Sequence, residues 1–195
     1  MREGGDSLLA GPGFDTACYG ARDLRGHDGG AVAQNSAFTI GYEGAEPADL
    51  IATLNTAGVT LVVDTRKVPT SRRAPYRKQA LAAALAEAGI GYVSVPALGV
   101  DKALRHLAKR EPIRFGRIYR RTLRQADLEL SELVKAASSV VLALLCFEFD
   151  ERQCHRFHLS LALAGRSALR FSHLRVRGSN DPDDHPAAPK VVRSQ

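Results

Sequence analysis

Val140-Val-Leu-Ala-Leu-Leu145 is a run of six apolar residues that leads directly into Cys146-Phe-Glu148 and, five residues later, into Cys154-His155-Arg156. A run so short and so rich in branched side chains reads as a fully buried strand. Two thiols, a carboxylate, an imidazole and a guanidinium are thus packed into the positions just after that strand. In open α/β sheets, ligands bind in the crevice outside the carboxyl ends of the strands. The stretch therefore predicts both a sheet and a place on it for chemistry.

Outward from this strand, strand and helix patterns alternate. Strands are expected over 37–41, 59–64, 90–95, 140–145 and 168–174. Helices are expected over 47–57, closed by Gly58, over 77–88, closed by Gly89, and over 101–109, 118–137 and 151–164. The third and fourth helices are separated by Pro112 and Gly116. Such alternation predicts one α/β domain over 37–177, with an open, mostly parallel sheet of about five strands and helices on both faces, Rossmann-like in plan. Residues 1–36 and 178–195 are rich in Gly, Asp, Pro and Arg without apolar periodicity, and read as flexible extensions.

Parallel strands point one way, so groups that follow them gather along one edge. Tyr42 and Glu43 follow the first strand, Asp64 and Arg66 the second, and Cys146 and Glu148 the fourth. Asp150-Glu-Arg-Gln153 has the form of a capping box, which makes Asp150 the expected N-cap of the next helix. Cys154, His155 and Arg156 then lie in its first turns, where the helix end favours thiolates and bound anions. Glu148, flanked by Phe147 and Phe149, is expected to be desolvated and so able to carry protons with His155. Cys146 or Cys154 would be a nucleophile, although buried packing serves cysteine equally well. Asp64 would orient Arg66 or His155, or bind a substrate hydroxyl. Arg66, Arg72, Arg73 and Arg156 would form an anion clamp, with Tyr42, Glu43 and Tyr119 completing the substrate contacts.

Length, charge and cysteine usage bound the rest. The chain has 195 residues, 45% of them hydrophobic, enough for one packed core and short of any membrane-spanning stretch. Its first apolar run is too short for a signal-peptide core, and its three cysteines show no secreted spacing. A cytoplasmic location with reduced thiols is the expectation, with Cys18 idle. Net charge is +6, with basic residues concentrated over 66–78 and 105–124, which favours anionic partners without specifying one. No metal site is expected. Cys154 and His158 share a helix face and Cys146 could add a third ligand, but no Cys-x-x-Cys pair accompanies them. Gly41-x-x-Gly44 is not a dinucleotide fingerprint, and no cofactor is indicated.

Five stretches carry a resemblance: Thr39-Ile-Gly-Tyr-Glu-Gly44, Val62-Val-Asp-Thr-Arg66, Pro69-Thr-Ser-Arg-Arg-Ala-Pro75, Phe115-Gly-Arg-Ile-Tyr119 and the C-x-E-x5-C-H-R string from Cys146 to Arg156. In this order they resemble domain of unknown function family 488, small α/β proteins, over roughly 38–175. The resemblance implies the fold and the site residues named above, and no reaction. Two places depart from the family pattern: Tyr42-Glu43, where a serine or histidine often follows the glycine, and the basic region 100–117, where many members are glycine-rich. The combined expectation is an enzyme acting on an anionic, nucleotide-derived or nucleic-acid substrate through a Cys/Glu/His/Arg site. Two alternatives stand beside it: a non-catalytic nucleic-acid-binding module, and a thiol-redox or metal-responsive protein.

Overall fold

A computed structural model of the chain describes residues 35–176. The extension 1–36, apart from Asn35 and Ser36, and the tail 178–195 lie outside the described residues. Five strands, β1 (Ser36–Gly41), β2 (Leu61–Asp64), β3 (Gly91–Ser94), β4 (Leu142–Cys146) and β5 (Arg170–Leu174), form one parallel sheet in the order β3-β2-β4-β1-β5. The helices are α1 (Pro47–Thr56), α2 (Lys78–Glu87), α3 (Lys102–Arg110), α4 (Pro112–Gln125), α5 (Asp127–Ala136) and α6 (His155–Ala164). This is the expected single parallel α/β sheet.

Strand pleating divides the core into two layers. Leu61, Val63, Leu142 and Leu144 face one side, where they meet α3 to α6 through Ala108, Phe115, Tyr119, Leu130, Leu159 and Leu163. Val62, Ala143, Leu145 and Ile40 face the other, against Leu50, Leu54, Leu81 and Leu85 of α1 and α2. Every residue of β4 is buried, as its sequence predicts, and each of its fully buried leucines is worth roughly 1.5–3 kcal/mol. Gly58 and Gly89, at φ 67° and 77°, close α1 and α2 in the left-handed conformation.

Layering also places the crevice. The connections from β1 and β2 leave over the α1/α2 face, whereas β4, which lies between them, continues into α6 on the opposite face. Diverging connections leave an opening at the carboxyl end of β4.

Two elements differ from expectation. The break expected near Pro112 falls at Glu111, at φ −137° and ψ 65°, and Pro112 opens α4 at its first position, where a missing N–H costs nothing. Gly116 lies inside α4, where a Cβ would come within 2.7 Å of the His158 ring. It lets α6 pack close and does not interrupt the helix. A second break falls at Ala126, between α4 and α5, inside the single helix expected over 118–137.

Candidate functional site

At the end of β4 the chain turns through Phe147 and Glu148. Backbone bonds from Tyr42 N to the Cys146 carbonyl and from Glu43 N to the Phe147 carbonyl hold this turn against the end of β1. Asp150 then caps a single 3₁₀ turn, Glu151–Gln153, accepting from Arg152 N at 2.9 Å and from Gln153 Nε2 at 3.1 Å. The α-helix starts only afterwards, with Cys154 as its N-cap at φ −128°, ψ 149°. The expected Asp150 cap of α6 is thereby corrected. The Asp-x-x-Gln pattern is satisfied by the tighter turn, and that turn swings Cys154 and His155 in beneath Cys146.

The result is a buried cluster. Nδ1 of His155 lies 3.8 Å from Cys146 Sγ and 3.7 Å from Cys154 Sγ. The three donor atoms all fall within 4.8 Å of one another, so this set could hold a metal ion. Cys146 also donates to Glu148 Oε2 at 3.1 Å. On the far side of the imidazole, Nε2 is 3.1 Å from both the carbonyl and the hydroxyl oxygen of Thr65. The Thr65 hydroxyl itself donates to the Leu145 carbonyl at 2.8 Å. Both oxygens facing Nε2 are therefore acceptors, and Nε2 must carry the proton. Nδ1 is the atom turned toward sulfur.

Electrostatics separate the two thiols. Burial would raise the Cys154 thiol, but the hydrogen bond from Cys146, with Arg156 and His155 nearby, outweighs burial and holds it well below its ordinary value. The Cys146 thiol is held well above its ordinary value by that same hydrogen bond and by burial. Burial alone would lower His155, yet the Cys154 thiolate reverses the sign and raises it. Glu148 is raised, first by burial and then by the Cys154 charge. The hydrogen bond of the Cys146 thiol goes to the Glu148 carboxylate.

Three of the four arginines expected as an anion clamp are engaged within the protein. Arg66 spends Nε and Nη2 on the Asp64 carboxylate, at 2.6–3.0 Å, and Nη1 on Tyr42 Oη (2.7 Å) and the Tyr76 carbonyl (2.9 Å). Burial works against its charge and the Asp64 hydrogen bonds more than restore it. Arg156 is buried and gives Nη1 and Nη2 to the carbonyls of Glu148 and Phe149, leaving Nε without a partner. Arg73 bonds Glu46 and the Ala45 carbonyl at the rim, and Arg72 is exposed. Guanidinium groups that follow strands here brace loop carbonyls, which otherwise have no donor at a sheet edge.

Other residues expected at the substrate also bond within the protein. Glu43 accepts from Phe149 N at 2.9 Å, which ties the two loops together. Tyr42 stacks on Tyr76 at 4.2 Å between ring centres. Tyr119 donates its hydroxyl to the Leu98 carbonyl and brings only its ring edge to His155, at 5.6 Å. Tyr119→Phe should accordingly cost about 1 kcal/mol of stability in urea denaturation, the size of one lost hydrogen bond. It should leave the reactivity of both thiols unchanged. His158, weighed with Cys154 as a ligand pair, packs on Phe115 and Phe157 instead. Sequence reasoning missed Thr65. Its neighbours Asp64 and Arg66 drew attention by charge, while the residue that fixes the His155 tautomer stood between them.

The groups brought together are therefore Cys146, Glu148, Cys154 and His155, with Thr65 behind the imidazole. Asp64, Arg66, Tyr42 and Arg156 frame them. Among the described residues no helix is long and apolar enough to cross a membrane. No curated protein and no solved structure matches the chain. The family model described as domain of unknown function DUF488 matches residues 46–163, a span that contains all four clustered residues and Thr65, and the chain belongs to that family.

Proposed function

We propose that this chain is a metal-dependent enzyme that holds zinc between Cys146 Sγ, Cys154 Sγ and His155 Nδ1, with Glu148 as the proton-carrying group beside the ion. The observation that carries this reading is the convergence of three donor atoms within 4.8 Å, with the imidazole already turned and fixed from behind. Tetrahedral zinc with bonds of about 2.3 Å to sulfur and 2.0–2.1 Å to nitrogen sets sulfur about 3.5–3.6 Å from nitrogen, a few tenths of an ångström inside the distances here. The two sulfur–nitrogen distances are 3.7 and 3.8 Å. A histidine ligand characteristically donates its other N–H to a carbonyl or carboxylate, the part Thr65 plays. Two thiolates also cancel the charge of a divalent ion, so the filled site carries no net ligand-plus-metal charge into the interior.

Thiolate with imidazole selects zinc over the hard, oxygen-seeking cations. Three protein ligands with a fourth position open is the catalytic arrangement. Glu148 stands 3.1 Å from the Cys146 sulfur and makes no ion pair with Arg66 or Arg156. With zinc bound, Glu148 would be the residue to exchange a proton with a water or substrate. This reading departs from the sequence-based expectation of no metal, and it replaces Cys154 as free nucleophile with Cys154 as ligand. The zinc-loaded protein should be incubated with nucleoside mono- and triphosphates and with a short oligonucleotide, and products followed by mass spectrometry. Turnover of at least one is expected, reduced at least 100-fold in Glu148→Gln, the usual size of a lost general acid or base. Absence of turnover with all of them, or full turnover in that variant, would end the enzyme reading.

A further inference from the structure

We infer that the exposed face of α3 and α4 docks the phosphate backbone of a nucleic acid. The docking surface does not depend on the proposed enzyme.

Charge is concentrated there to an unusual degree. Residues 102–125 hold nine lysines and arginines against Glu111 alone, a net +8, while the whole chain is +6. Everything outside these two helices therefore sums to −2. All nine basic side chains are exposed. Arg114 pairs with Glu111 at 3.2 Å, and the other eight have no acidic partner at salt-bridge distance among the described residues.

Spacing orders the charges. Arg114, Arg117, Arg121 and Arg124 recur at steps of three, four and three, which lines them along one face of α4. Lys102, Arg105 and Lys109 do the same on α3, which packs against α4. Like charges at these steps weaken a helix, so the fold gains nothing from the stripe. Its ten-residue span covers about 15 Å of helix axis. A duplex presents one phosphate per about 3.4 Å on each strand, so the stripe matches about four phosphates. A single small anion would use a fraction of it.

A membrane surface fits less well. Lipid-binding helices present an apolar face to the bilayer, whereas α4 buries its apolar face, Phe115, Tyr119 and Leu123, in the core. Ile113 is the one exposed large apolar residue of the two helices. The inner face of α4 also reaches the centre: the Tyr119 ring lies 5.6 Å from His155, and Gly116 receives His158 of α6. The basic stripe and the cluster thus occupy opposite sides of one helix.

The test is fluorescence anisotropy with a labelled 20-base-pair duplex and the matching single strand, at 50 and 200 mM salt. Four phosphate contacts predict a log–log salt slope near −3.6 on the duplex, a loss of about 150-fold in affinity between those salts. Replacing Arg117 and Arg121 together by alanine should reduce the slope by about two. Both are exposed, so the fold is not at risk. Arg72→Ala, exposed and outside the stripe, should leave binding within twofold. No binding at 50 mM salt would overturn the inference, as would a slope untouched by the double variant, or tighter binding to phosphatidylserine vesicles than to either nucleic acid. Zinc content is measured on the same preparation. Binding without zinc would sink the metal reading alone, and zinc without binding would sink this one alone.

Discussion

Arg66→Met should destabilise the protein by about 3–5 kcal/mol, the cost of leaving one member of a buried pair without the other. Asp64 has no exposed surface and Arg66 almost none. The carboxylate accepts from Arg66 Nε, Nη2 and backbone N, and from Tyr92 Oη. Removing the guanidinium would keep only the backbone and tyrosine donors and strand a negative charge in the core. Tyr42 Oη and the Tyr76 carbonyl would lose their donor as well. A domain of this size has about 5–15 kcal/mol in all, so the variant should unfold at a much lower urea concentration or accumulate poorly. The double variant Asp64→Asn with Arg66→Met removes the stranded charge and should recover part of the loss. A single variant as stable as the parent would mean that the pair is not buried as described.

Gly41→Ala should be comparably severe, and for a different reason. A Cβ at this position would overlap the Glu148 carbonyl oxygen, with the carbonyl carbon at 2.8 Å and Arg156 Nη2 at 3.1 Å. The obstruction is backbone, which cannot swing aside like a side chain. The Glu148 carbonyl is fixed by Arg156, and the preceding residue by Glu43 N. Relief requires moving the whole turn from Phe147 to Phe149, and with it Glu148. Overpacking of this kind costs about 1–3 kcal/mol and occasionally more, and the upper end is expected here. Zinc content should fall together with stability, because the turn that moves adjoins Cys146. A variant with unchanged thermal stability and unchanged metal would show that the two strand ends do not approach so closely.

These two positions show which parts of the site the sequence could reveal. The apolar run before Cys146 and the regular return of strand patterns made the parallel sheet legible, since burial on both faces is written directly in side-chain type. The Cys146, Glu148, Cys154 and His155 cluster was legible for the same reason: reactive residues followed a strand end. The roles of Arg66, Arg73 and Arg156 were not. A sequence displays charge but not its partner, and a guanidinium that braces loop carbonyls looks the same as one that awaits an anion. The cap at Asp150 failed in a similar way, because the same side-chain bonds satisfy a 3₁₀ turn and an α-helix. Thr65 carries no charge and has no periodic signature, so only its position behind His155 reveals its part. The choice between His155 and His158 as neighbour of the thiols likewise depended on where α6 begins.

Zinc content per folded chain tests the central claim most directly. The protein should be purified without chelator, dialysed against trace zinc, and assayed by inductively coupled plasma mass spectrometry beside Cys146→Ser, Cys154→Ser and His155→Ala. The expected result is one zinc per chain in the parent, and a loss of at least tenfold in affinity in each variant. Thr65→Val, which removes only the hydroxyl behind the imidazole, should lower affinity by about 10–100-fold, the usual effect of a partner behind a ligand. Circular dichroism on the same samples separates loss of metal from loss of fold. A folded parent that holds no zinc, and whose Cys146 and Cys154 join in a disulfide under mild peroxide, would contradict the account and leave the pair as a redox couple.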